Sequence, residues 1–88
     1  MSAEETQLFR DTVLLILRNY PRGLNRERLD TCLRAGGLDH FTFRDMDFHL
    51  EYLGGKNLIA KADKSHSVGN ALWKLTAAGV DDLEGRGL

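Results

Sequence analysis

Cysteine occurs once, at Cys32, so no disulfide can close within the chain, and a reducing compartment is expected. No apolar run exceeds five residues, far short of the roughly 20 that a membrane-spanning helix needs. The opening residues carry Glu4 and Glu5 instead of a basic segment leading into an apolar one, which predicts no secretory leader and a cytoplasmic location. Phosphate loops, nucleophile elbows and paired zinc-ligand motifs are missing, so the chain is expected to be no enzyme and to need no cofactor, and no small-molecule ligand is evident. Internal repeats and low-complexity stretches are missing too. Neither sign of charge is in excess: twelve Lys and Arg stand against thirteen Asp and Glu, a net charge of −1, whereas a nonspecific nucleic-acid binder is basic overall.

What is present is ordinary for a globular protein, with 42% hydrophobic and 28% charged residues. A chain of 88 residues buries only about 60–65% of its unfolded surface and cannot divide that between two cores. One domain over residues 1–88 is therefore expected.

Thr42 to Thr76 organises the rest. Thr42 is a good N-cap with Asp45 three residues on, so hydroxyl and carboxylate can each satisfy a backbone donor, and a helix should begin near Phe43. Met46, Leu50 and Leu53 share one face of it, with Asp47, Glu51 and Asp45 toward water, and Gly54 and Gly55 as the stop. Leu58 to Ala62 and Ala71 to Leu75 are short and apolar-rich, hence strands, and Asp63 to Asn70 between them is a polar tip.

Upstream, Ser2 with Glu5 forms a second capping-box pattern, and Leu8, Phe9, Val13, Ile16 and Leu17 follow helical spacing, predicting a helix over Ala3–Asn19. Val13 to Leu17 is wholly apolar and covers more than one stripe. Such a helix is either central to its own domain or packs its spare face against a second copy, which would make a homodimer through helix one. Tyr20, Pro21 and Gly23 stop it. Leu24 could be a one-residue strand joining the hairpin. Asn25 caps a second helix over Arg26–Arg34, with Leu29, Cys32 and Leu33 inward, Arg26, Arg28 and Arg34 outward, and Ala35, Gly36 and Gly37 at its end. Cys32 is most simply a small core residue. Leu38 and Phe41 should plug the core from the following turn. Thr76 caps a last helix, Ala77–Leu83, with Val80 and Leu83 inward. The expected class is α+β, mostly α: helix, minimal strand, helix, helix, strand, wing, strand, helix, which is the layout of a winged helix.

Charge is distributed unevenly. Arg18 to Arg34 holds five arginines against Glu27 and Asp30, and Lys56 to Lys74 four lysines against Asp63, so each stretch is locally +3. Acidity gathers at Asp39, Asp45, Asp47 and Glu51, and again at Asp81, Asp82 and Glu84.

Leu50-Glu51-Tyr52-Leu53 followed by Leu58-Ile59 resembles the winged-helix pattern in which a recognition helix ends in a leucine-rich turn and enters a Gly-Leu-Ile-type strand, with Asn57 where the glycine often stands. Trp73-Lys74-Leu75-Thr76-Ala77-Ala78-Gly79-Val80, continuing to Glu84-Gly85, is similar to the close of bacterial winged-helix regulators of the MarR and PadR type. The resemblance spans nearly the whole chain. It implies a small prokaryotic or phage transcriptional regulator, of the kind a Mu-like prophage carries, binding double-stranded DNA through helix three and a basic wing. The long extra helices that larger regulators use for dimers and ligand pockets are absent.

In that layout Arg44 and His49 on helix three would reach base edges, while Arg26 and Arg28 on helix two and Lys61, Lys64 and His66 in the wing would contact phosphates. The acids of helix three meet a polyanion at a Coulomb cost. Either Arg44 and His49 face the groove with the acids turned away, or helix two and the wing hold the DNA. The alternative is a winged-helix protein-interaction module that binds no DNA, with Phe48 and Tyr52 as anchors; the plainer expectation for those two aromatics is a second buried stripe. Asp45 and His49, one turn apart with His40 near, could share a metal, but Asp45 is better explained as a capping partner, and no metal site is expected.

Overall fold

In the computed structural model, which describes residues 1–62 and 71–88, the chain is α+β and mostly helical. The described elements are α1 (Ala3–Arg18), α2 (Arg26–Ala35), α3 (Phe43–Gly55), β1 (Ile59–Lys61), β2 (Trp73–Leu75) and α4 (Ala77–Gly85). Lys64 and His66 lie outside the described residues. No described helix is long and apolar enough to cross a membrane.

Every helix starts on the residue whose side chain can take up a free backbone donor. The Ser2, Asn25, Thr42 and Thr76 oxygens accept from the amides of Glu5, Arg28, Asp45 and Gly79, and Ser2 and Thr42 form complete capping boxes with Glu5 and Asp45. Three helices also end alike. After α3, the Asn57 amide donates to Gly54 O at 3.0 Å and the Leu58 amide to Leu53 O at 3.1 Å, a Schellman closure with a leucine returning to the core. Gly37–Leu38 and Gly87–Leu88 repeat it after α2 and α4. The expected stop at Gly54 and Gly55 is thus displaced: both are helical, and Asn57 takes the left-handed conformation, φ 61°. Asparagine tolerates that region better than other residues with a side chain, which explains why it can stand where a glycine is usual.

The core runs along α1. Phe9, Val13, Leu14 and Leu17 are buried against Leu29 and Leu33 of α2, Met46, Leu50 and Leu53 of α3, Ile59, Trp73 and Leu83, with Phe41 closing one end and Leu38 packed beside it. Leu15 and Ile16 pack at the cluster's margin, so the long apolar run is taken up largely within the chain. Leu8, grouped with the apolar positions by its spacing, is instead 54% exposed, and Leu14 occupies the core.

β1 and β2 pair antiparallel with Ile59 opposite Leu75 and Lys61 opposite Trp73. Both strands are shorter than the apolar stretches suggested. No third strand is seen among the described residues; the one residue expected to join the hairpin, Leu24, does so as a single bridge to Trp73, each amide donating to the other's carbonyl at 2.9 Å. The reason is local. Gly23 turns the chain at φ 92° and Asn25 already caps α2, leaving one extended residue between them.

α4 crosses the end of β1 at Gly79, where an added Cβ would collide with the Leu58 carbonyl oxygen and the Leu75 side chain. Gly79→Ala should therefore destabilise the protein by about 1–3 kcal/mol in urea unfolding, through overpacking. Gly55→Ala, with open space around the added carbon, should instead stabilise it by about 0.4–1 kcal/mol. Equal effects at the two sites would contradict the close approach.

Candidate nucleic-acid interface

α3 turns about 100° per residue, so Met46, His49, Leu50 and Leu53 point inward and Arg44, Phe48 and Glu51 form the opposite strip. Burial agrees: the first four are buried and the last three exposed. Phe48 is 64% and Tyr52 41% exposed, so neither belongs to a second buried stripe. Among the described residues α3 is covered on its inner side by the core, and its outer strip faces away from them.

The acids of this helix are partly spoken for. The Asp45 carboxylate accepts from the Thr42 amide at 2.9 Å, and that bond holds its pKa below the ordinary carboxylate value. Asp47 accepts from Arg26 Nη1 at 2.8 Å. Glu51 stays exposed and shares a shallow hollow with Lys61 and Trp73 at the base of the hairpin.

Two residues expected to face DNA do not present themselves freely. His49 is 5% exposed. Its ring lies 4.8 Å from that of Phe9 and its Nδ1 accepts from Arg10 Nε at 3.2 Å; burial, and then the Arg10 charge, push its pKa down. Its spacing, three residues after Met46, is the signal that places it on the inward face. Arg26, expected outward, is a strut from α2 to α3: besides the Asp47 pair, its guanidinium sits 4.6 Å over the Phe43 ring, and its Nε is buried with no partner among the described residues.

Arg28 lies on another side of α2, about 200° around from Arg26, exposed in a groove with Tyr20, Pro21 and Arg22. Arg44 is exposed in the first turn of α3, and Lys61 is exposed with its ammonium 5.5 Å from the Trp73 ring. Most arginines are engaged within the chain: Arg10 on His49, Arg18 on Leu88 O, Arg26 on Asp47, Arg34 on Asp30, Arg86 on Asp11 and Asp82. Arg22, Arg28 and Arg44 have no such partner among the described residues. Arg22, and Lys74 exposed on β2, were not singled out from the sequence, although both lie in its locally basic stretches. Among the described residues no three His, Cys, Asp or Glu side chains group as metal ligands would.

Comparison with protein-family models, with curated proteins and with solved structures finds no match to this chain.

The buried His49 carries a pH signature. Its folded pKa lies below the 6.5 of an ordinary histidine, so the unfolded chain takes up the proton first. Stability present above pH 6.5 should be lost as the pH falls below it. Chemical denaturation across this range should show that slope, and His49→Gln should reduce it; an unchanged slope would mean that His49 titrates normally.

Proposed function

We propose that the chain is a DNA-binding protein of winged-helix type, a small prokaryotic or phage transcriptional regulator, with α3 as the reading element and the β1–β2 hairpin as its wing. The observation that supports this best is a strip of α3 that the described residues leave exposed, beside the base of a lysine-bearing hairpin. In helix-turn-helix readers the N-terminal part of the second helix meets base edges, and Arg44 stands in that part with its guanidinium unengaged. Arginine's fork matches the two acceptors of guanine, and Phe48, one turn on, offers the apolar contact that a thymine methyl accepts. Internal bonds to Asp45 and Asp47 weaken the electrostatic objection to an acidic helix in a groove. Arg28, Lys61 and the newly recognised Arg22 and Lys74 are the candidates for phosphates; Arg26 serves the fold first.

A second reading has its own support: a solvent-facing Phe48 flanked by Tyr52 is the kind of aromatic anchor that protein interfaces use. Salt separates the two. Selection of fragments from random duplex DNA should yield bound sequences whose affinity falls with log salt at a slope of about −0.9 per phosphate neutralised. Arg28→Ala should flatten that slope by about one, and Arg44→Ala should relax preference at one base position at a cost of about 1–3 kcal/mol. Arg26→Ala should act mainly on stability. An empty selection would favour the protein-interaction module.

A further inference from the structure

A cleft of about 240 Å³ lies between α1, the C-terminal end of α3 and α4, floored by Leu14 and Leu58 and flanked by Arg10, Tyr52, Lys56 and Arg86. Its charges are unequally satisfied. Arg86 bonds Asp11 and Asp82, each at 2.7 Å. Arg10, by contrast, is half-buried without any carboxylate partner among the described residues: its bond to the protein is Nε to the neutral acceptor His49 Nδ1. The guanidinium lies 3.6 Å over the centre of the Tyr52 ring. The Lys56 ammonium is 5.7 Å from the same ring.

A partly buried cation is normally matched by an anion, and a guanidinium whose terminal nitrogens have no partner among the described residues can offer two parallel bonds to one oxyanion. We infer that this cleft is a binding site for a small oxyanion, the carboxylate or phosphate group of a ligand, gripped by Arg10 and Lys56 over Tyr52. Its volume falls below the roughly 300–1,000 Å³ of sites for drug-sized ligands, so it suits one charged group with a short apolar attachment resting on the leucines. The Asp11 and Asp82 carboxylates also line the cleft; both are bonded to Arg86 and disfavour a second anionic group beside them. The site uses the flank of α3, not its outer strip, and stands whether or not that strip reads DNA.

The test is a two-dimensional amide NMR titration of the full chain with sodium phosphate and, separately, with sodium acetate, ionic strength being held constant with sodium chloride. Saturable shifts at the Arg10, Tyr52 and Lys56 amides are expected from at least one probe; saturation by phosphate alone assigns a phosphate ligand, by acetate alone a carboxylate. Arg10→Lys, which keeps the charge but loses the fork, should weaken binding roughly tenfold or more. Lys56→Gln, at an exposed position outside the core, should weaken it several-fold with the fold intact. Shifts that fail to saturate, that are as large at Arg28 and Arg44, or that survive both substitutions unchanged would overturn the proposal.

Discussion

Trp73 is the point at which the chain is held together. It is 7% exposed and pairs along both edges of its backbone, with Leu24 on one side and Lys61 on the other, while its ring lies against Gly54 at the end of α3. One residue thereby ties the start of α2, the hairpin and the last turn of α3 into a single arrangement. The Leu24 bridge matters beyond its two hydrogen bonds because it joins the N-terminal helical part to the hairpin, and buried backbone groups left unpaired there would each cost about 1–3 kcal/mol. The Thr76 hydroxyl extends the joint: it donates to Asn57 O and accepts from the Gly79 amide, so α4 begins where α3 ends.

The outer strip of α3 follows from this. With its inner face set against α1 and its end pinned by the Leu58 return, the helix has one orientation, and Arg44, Phe48 and Glu51 are left outward. Charge then sorts by partner, not by count. A net charge of −1 says little about a surface on which Asp47 is neutralised by Arg26 and Asp45 is bound into a cap, because screening in water confines each exposed charge to its neighbourhood, about 8–10 Å at physiological salt. The solvent-facing arginines and lysines act locally.

Much of the local structure could be read along the chain. All four caps and the inward leucines of α2 and α3 stand where spacing put them, since a capping side chain bonds within three residues and an amphipathic stripe repeats within four. The candidate site was legible only in outline. Arg26 and Arg28 look alike in sequence, yet one braces α3 and the other faces solvent, because two residues apart on a helix means nearly opposite sides. His49 looked like a reader and is core; Phe48 looked like core and is surface. Periodicity held the signal for both: His49, three residues after Met46, shares its face, and Phe48 stands about 200° around from both Met46 and Leu50.

What the sequence determined by itself is therefore what arises within a few residues of the chain: the four helix starts, the hairpin and the mostly helical α+β class. What only the tertiary structure decided is which side chains consume one another across the fold: Arg26 with Asp47, Arg10 with His49 and Tyr52, Arg86 with Asp11. Hydrogen bonds within a few residues are set by backbone geometry that the chain carries wherever it goes. Pairings between distant residues exist only once the packing of α1 against α3 and the bridge at Trp73 have brought their elements within reach, and that selection spent Arg26 on Asp47 while Arg28 and Arg44 have no such partner among the described residues.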